Sequence, residues 1–483
     1  MKPSAHDRVL LIARLAPAAL TVALGLGALL QLQRPEPGKP VSQREPTSTV
    51  TVPAQAELQV VQAALPPPQE VAERSVPSPQ APHSPLPEPP ASETLVHPIE
   101  IYDPGGHALA NFHRALQQLA QGQPRNQDEK VRLVFFGASH VASDLFTDVV
   151  RTRLQAAFGD GGPGFVLPAK PRRWHHHARV RYELSRGFEG HQVRVRHKDM
   201  DAYGLAGVAL DANTRPRGHA ILETRSPGES TISSITLYYL RQPQGGRFQV
   251  RVDDRLRHVV STRAEAEAPG YHRIDVPAGQ HRLELRTHGR GPVRIFGAVM
   301  ESAGAGVVVD TLGVPGSRAR YQLLWEEALF RAHLQRRDPD LVVLAYGTNE
   351  AGDVDVPIAD YKAQLRQVVT RVRAMAPQAS CLLIGPSDQP VMDAPNGPAD
   401  RPRTMDLIAA QKEVSAELGC GFFDLVALMG GPMSMLRWTH AEPPLGSRDH
   451  IHFTRAGYAK VGEVLYDALM AQYSPPPGTL HKP

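Results

Sequence analysis

The sequence predicts an α/β protein with a parallel sheet, interrupted by an all-β sandwich. Apolar, strand-like runs alternate with amphipathic helical spans from Val131 to Phe158, and again from Val307 to Gln472. Between these stretches the pattern changes to short alternating runs parted by turn residues. Ahead of both lie an apolar segment and a Pro-rich stretch that cannot build a core. The 483 residues suffice for two or three domains. Lys and Arg number 53 against 49 Asp and Glu, so composition gives no sign of a polyanion binder. No basic stripe with interleaved aromatics argues for nucleic acid.

Residues 1–34 read as a membrane-targeting segment. Lys2, Arg8 and Arg14 are followed by Leu15 to Leu32, apolar except for Thr21 and Gln31. A helix of this length spans roughly 27 Å, close to a bilayer's hydrocarbon core. Positive charge ahead of the span places the N-terminus inside and the body outside, anchored to the inner membrane. A cleaved signal peptide is the rival. Its small-residue signal, Ala54-Gln55-Ala56, lies far beyond the apolar run, which favours the anchor. Residues 35–98, rich in Pro, Ser, Ala, Gln and Glu, are expected to be a disordered tether. Its extended reach is about 200 Å and its coil span about 45 Å.

The first part of the α/β domain is expected over 99–177. Leu109, Phe112, Leu116 and Leu119 carry helical spacing, Val131–Phe136 is a buried-type strand, and Asp144–Phe158 is an amphipathic helix. A Gly-rich loop, Gly159 to Gly164, follows. Residues 178–303 form the sandwich, with strands at Gln192–Arg196, Ile232–Leu240, Phe248–Val252 and Arg282–Arg286. The α/β pattern resumes over 304–474. It gives strand Val307–Thr311, helix Arg318–Gln335, strand Leu341–Tyr346, helix 359–375, strand 381–385, helix 404–418, strand 421–425 and helix Arg455–Gln472. The tail, 475–483, is expected to be disordered. Cys381 and Cys420 each sit in or beside an apolar run and read first as two small core residues, with a bridge as the alternative.

Three separated segments carry chemistry: Gly137-Ala138-Ser139-His140, Gly347-Thr348-Asn349-Glu350 and Asp449-His450-Ile451-His452. A serine after a strand, an amide donor and an Asp-x-x-His are what acyl transfer through a serine requires. Parallel α/β sheets bind ligands at the C-terminal strand ends, where Ser139, Gly316 and Asn349 fall. Each residue also has a plain structural role open to it. Ser139 could be an N-cap, and Asn349 and Gly316 could be turn residues. No Gly-x-Ser-x-Gly elbow, Walker loop, His-Glu-x-x-His or Cys-x-x-Cys occurs. The run His175-His176-His177 cannot converge on one ion and reads as a surface loop beside the cleft, with Trp174 stacking on a sugar.

These blocks, in their order and strand context, resemble those of the SGNH (GDSL-type) hydrolases. The resemblance implies a three-layer, flavodoxin-like domain. It implies Ser139 as nucleophile, His452 as base and Asp449 as its orienting acid. It implies an oxyanion hole from the Ser139 and Gly316 amides and the Asn349 side chain. His140 is placed on the substrate side or in support of the nucleophile loop. The first block departs from the family's Gly-Asp-Ser: Ala138 stands where the Asp would be, so that support of the loop is absent, and reduced activity, a different substrate or compensation by Asp144 are the open outcomes. The inserted β-sandwich narrows the resemblance to periplasmic peptidoglycan O-acetylesterases with a carbohydrate-binding-like module. The implied partner is an O-acetylated glycan such as peptidoglycan, and no cofactor or metal is needed. Two alternatives stay open: a polysaccharide O-acetyltransferase with the same triad, and a degenerate carbohydrate-binding protein.

Overall fold

The computed structural model describes residues 95–476, except 124–125, 171–174, 194–199, 213–216 and 226–230. The apolar segment 15–32, nearly all of the tether, Trp174 and most of the tail lie outside the described residues. Among those described, no helix is long and apolar enough to cross a membrane.

Helix α1 (Ala110–Ala120) leads into strand β1 (Lys130–Gly137), the short helix α2 (Ser139–Ala142) and helix α3 (Phe146–Phe158). Eleven strands follow before the chain returns to the β1 sheet: β2 (Gly164–Val166), β3 (Val180–Arg186), β4 (Glu189–Gln192), β5 (Val208–Ala212), β6 (His219–Thr224), β7 (Ile232–Arg241), β8 (Arg247–Val252), β9 (Arg255–Ser261), β10 (Ala268–Gly279), β11 (Arg282–His288) and β12 (Val293–Glu301). The remainder alternates: β13 (Gly306–Gly313), α4 (Glu327–Arg337), β14 (Leu341–Ala345), α5 (Ile358–Met375), β15 (Ser380–Ile384), α6 (Pro402–Glu417) and β16 (Gly421–Phe423). Three helices close it: α7 (Leu425–Met429), α8 (Ser434–Thr439) and α9 (Arg455–Met470).

The strands β13-β1-β14-β15-β16 form one parallel sheet in that order. Taken in chain order this is the 2-1-3-4-5 arrangement of flavodoxin-like folds, with the switch point at β1. Gly137 lies beside Gly313 on one side and beside Ala345 on the other, so the C-terminal ends of three strands are level. Strand β1 is buried from end to end, which is why it reads as an unbroken apolar run. Its alternate residues serve opposite faces. Leu133 and Phe135 pack with Phe112, Leu154 and Leu465 of α1, α3 and α9. Val134 and Phe136 pack with Phe330, Val368 and Leu407 of α4, α5 and α6.

The insert forms two antiparallel sheets, one around β10-β7-β12-β5-β4 with β2 on β12, the other β3-β6-β11-β8-β9. Strand β7 is buried on both faces. Leu237 and Ile235 enter the core between the two sheets, while Tyr238 and Leu240 join the core of the α/β layer with Phe165 and Phe296. The sandwich therefore shares a hydrophobic core with the parallel sheet. A buried ion network reinforces the joint. Arg337 reaches Asp310 at 2.7 Å and Glu301 at 3.0 Å, and Arg132 reaches Glu301 at 3.1 Å. Burial opposes ionisation of Glu301, but Arg337 and Arg132 outweigh it and hold its carboxyl down at about 2.

Several elements differ from the sequence expectation. The single helix over Arg318–Gln335 is two pieces, a 3₁₀ turn (Ala319–Leu324) and α4. Trp325 breaks it at an extended φ/ψ of −82°/141°, turning its ring onto Phe330 at 4.6 Å. Glu326 then caps α4 by accepting from the Ala328 and Leu329 amides. The helix placed at Asp144 starts at Phe146, because Asp144 sits at φ +52° and turns its carboxylate inward. The strand over 421–425 stops at Phe423, since Asp424 caps α7. Strand β4 ends at Gln192; of the strand expected over Gln192–Arg196, residues 194–196 lie outside the described residues. Of the expected surface loop, only His176 is exposed, while His175 and His177 are buried at 5% and 4% exposure. Cys381 and Cys420 are joined as a disulfide rather than standing apart.

Candidate active site

The level ends of β13, β1 and β14 bring Gly316, Ser139 and Asn349 to one edge of the sheet. Ser139 opens helix α2 directly after β1, so its amide is a first-turn N–H with no helical partner. Gly137 must be glycine, because a Cβ there would lie 2.8 Å from the Ala345 carbonyl oxygen and 2.3 Å from Val141. Gly316 has φ +77°, a left-handed turn conformation that suits glycine.

The Asp449–His452 loop, just ahead of α9, meets the same edge. Ser139 Oγ lies 2.8 Å from His452 Nε2, and His452 Nδ1 lies 2.7 Å from Asp449 Oδ2. Asp449 Oδ1 also accepts the Ile451 and His452 amides at 3.0 and 2.9 Å. Burial disfavours the Asp449 charge, but these donations and the His452 ring hold its carboxyl below the ordinary value. Such a chain of bonds fixes the imidazole with Nδ1–H toward the carboxylate and Nε2 open to take a proton from the serine. His450 turns away: its φ is +53° and its Nδ1 lies 3.3 Å from Thr439 Oγ1.

Asn349 donates from Nδ2 to the Ser317 carbonyl at 2.9 Å. The bond holds its amide against the Gly316 turn and leaves the second Nδ2 hydrogen for another acceptor. Behind Gly316 and Asn349 stand residues the sequence reasoning left without a role. Glu350, 2% exposed, accepts the Ala319 amide at 2.8 Å through one oxygen and the Gly347 amide at 3.0 Å through the other. One carboxylate thus ties the loop after β13 to the loop after β14. Burial raises its pKa despite those amide bonds. Arg318 grips Asp353 through Nε at 2.7 Å and Nη2 at 2.5 Å, and donates through Nη1 to the Gly316 carbonyl at 3.1 Å. A carboxylate directly after Asn349 was a usable signal. The Arg318–Asp353 pair, 35 residues apart, had none.

His140 is engaged on both ring nitrogens, by Tyr458 Oη at 2.9 Å and Ser387 Oγ at 3.3 Å, and stacks on Phe453 at 5.0 Å. Burial first, and then the neighbouring His452, push its pKa down to about 3, so it is neutral. Ser387 also contacts Thr348 Oγ1 at 3.3 Å and the Ile451 carbonyl at 3.4 Å. His140 therefore sits in a bridge between the Ser139, Asn349 and His452 loops, an arrangement that favours support over substrate contact. Trp174 lies outside the described residues.

Ala138 is 7% exposed and lines a small cavity of about 30 Å³ with Thr348, Phe423 and Phe453. Asp144 ties α3 to β13 and to Ala178 and makes no side-chain bond to the Ala138–Ser139 loop. It is fully buried and takes Thr147 Oγ1 at 2.8 Å, Thr311 Oγ1 at 2.7 Å, the Ala178 amide at 2.8 Å and Arg151 Nη2 at 2.8 Å. Burial works against its ionisation, yet Arg151 and His177 hold the carboxyl well below the usual range. Among the described residues no group of three or more His, Cys, Asp or Glu is arranged to hold a metal ion.

Residues 243–460 match the GDSL-like lipase/acylhydrolase family. That span holds Gly316, Asn349, Asp449 and His452; Ser139, beyond the insert, is joined to them only in the fold. No curated protein matches the chain. A solved structure of a peptidoglycan O-acetylesterase is similar at 26% identity and TM-score 0.63, covering 77% of this chain and 99% of that one. A salicylyl-acyltransferase from a tetracycline biosynthetic pathway aligns at 16% identity and TM-score 0.29, over 64% of this chain and 96% of that one. A family two carbohydrate esterase from Clostridium thermocellum aligns at 11% identity and TM-score 0.27, over 61% and 98%. At those two TM-scores neither adds to the argument.

Proposed function

We propose that this chain, a carboxylic ester hydrolase that resembles the SGNH type, removes O-acetyl groups from a cell-wall glycan, at O-6 of peptidoglycan N-acetylmuramic acid. The observation that carries the reading is the continuous Ser139–His452–Asp449 chain at 2.8 and 2.7 Å, on a fold similar to a peptidoglycan O-acetylesterase.

Ser139 Oγ attacks the acetyl carbonyl as His452 Nε2 takes its proton. The oxyanion is received by the Ser139 and Gly316 amides and the remaining Asn349 Nδ2 hydrogen. Collapse expels the sugar oxygen, which takes the proton from His452, and leaves acetyl on Ser139. Water, deprotonated by His452, attacks this acyl-enzyme. Acetate leaves and Ser139 recovers its proton. Asp449 stabilises the imidazolium in both halves.

Work on a wall polymer calls for export. The charged N-terminus and apolar run 15–32 support delivery across the inner membrane and tethering there. The Cys381–Cys420 bridge fits an oxidising compartment. The test is acetate release from O-acetylated peptidoglycan by the protein and by its Ser139→Ala variant. Release by the first, with a loss of about 10³-fold or more in the second, is expected. No release by either, with a simple aryl acetate also untouched, would sink the proposal.

A further inference from the structure

The second sheet of the sandwich carries a cluster that the ester chemistry does not use. Arg186 on β3, His219 on β6 and Arg286 on β11 form one cross-strand row, Arg186 paired with His219 and His219 with Arg286. Arg186 Nη2 lies 3.5 Å from His219 Nδ1, and Arg286 Nη2 lies 3.4 Å from His219 Nε2. Arg217, just before β6, stands beside them, with its carbonyl against the Gly187 turn. The three arginines are exposed, and with Gly187 and His219 they line a groove of about 570 Å³.

Arg186 and Arg286 flank His219 from the two neighbouring strands, so the row gathers like charge on one face with no opposite charge inside it. The nearby carboxylate does not relieve it. Glu284 is buried and already shared by His219 at 2.9 Å, Arg286 at 2.7 Å and Arg251 at 3.2 Å. Among the described residues neither Arg186 nor Arg217 has a carboxylate partner. Burial outweighs the Glu284 bond and lowers the His219 pKa, so His219 adds a ring rather than a third repelling charge. Guanidinium forks match planar carboxylates in bidentate fashion. The near balance of charge over the whole chain conceals this local excess.

We infer that the groove formed by Arg186, Arg217, His219 and Arg286 binds the carboxylates of an acidic glycan strand. The site is separate from the Ser139 centre and rests on the glycan-esterase reading only for its choice of polymer. It would hold the polymer through charge while the catalytic edge works on its ester groups. As an electrostatic contact its affinity falls with salt.

The experiment measures binding of the full chain to polygalacturonate and to its fully methyl-esterified, neutral form, at about 50 and 200 mM salt. Tighter binding of the acid form, by at least about tenfold and weakening with salt, is expected. The triple variant Arg186→Gln, Arg217→Gln, Arg286→Gln should lose that margin. A control triple on the same sandwich, Arg255→Gln, Arg257→Gln, Arg263→Gln, should lose less than about twofold. Equal binding of both polymers, or equal loss in both triples, would overturn the proposal. Aryl-acetate turnover, measured alongside, should be unchanged in every variant. Its absence in the unaltered protein would count against the esterase reading and leave the binding result to judge the groove.

Discussion

At Asn349 one hydrogen bond fixes a side chain on which the proposed reaction depends. Its donation to Ser317 fixes the side chain and leaves one Nδ2 hydrogen, the one the proposed reaction uses for the oxyanion. A preorganised donor of this kind stabilises an oxyanion without reorganisation. Asn349→Ala should lower kcat by about 10²–10³-fold with a small change in KM. Steady-state kinetics on an aryl acetate would show it, and an equal loss spread onto KM would assign Asn349 to substrate binding instead. Ser139 and Asn349 were legible as candidates because their types and strand contexts are local facts. The choice of His452 over His450 was legible through its spacing from Asp449. Support by His140 was one of two readings open to it, but its partners Tyr458 and Ser387 were not legible, because they lie 318 and 247 positions away.

The loops after β13 and β14 act as a unit through Glu350. Glu350→Ala leaves the buried Ala319 and Gly347 amides without their acceptor, at a cost of about 2–4 kcal/mol in stability. It should also lower kcat, since the Gly316 and Asn349 donors lose their shared brace. Denaturant unfolding together with kcat on an aryl acetate checks both, and Glu350→Gln, which keeps one acceptor, should fall between. A variant as stable as the parent would refute the brace. Element existence was readable from periodicity, while several element ends were not. Trp325 and Asp144 each leave a helical pattern for a tertiary reason, the first to pack on Phe330 and the second to meet Arg151.

Over the whole molecule, buried histidines set the response to pH. Burial lowers the pKa of His140 and His333 to about 3 and of His177 to about 4. The unfolded chain takes up these protons near 6.5, the folded chain only near 3–4. Their contribution to stability is therefore full above about 6.5 and is lost as pH falls through that window. Glu301, held at about 2, acts in the same direction below about 4.5. The thermal midpoint should hold above about pH 6.5 and drop steadily from there to about pH 4.5. His333→Leu should flatten the drop between 6.5 and 4.5, and an unchanged slope would remove His333 from the account.

By itself the sequence determined the alternation of strands and helices, the all-β interruption and the residue types at each strand end. These follow from local periodicity and from chemistry that each segment carries alone. Tertiary structure decided the rest. It aligned Gly137 with Gly313 and Ala345, so that three loops share one edge. It fused the sandwich to the α/β core through Tyr238, Phe296 and the Arg337–Asp310–Glu301 network. It also set the Arg186–His219–Arg286 row. Each of these depends on strand register across long sequence separations, and register is fixed by which faces find a partner to bury against.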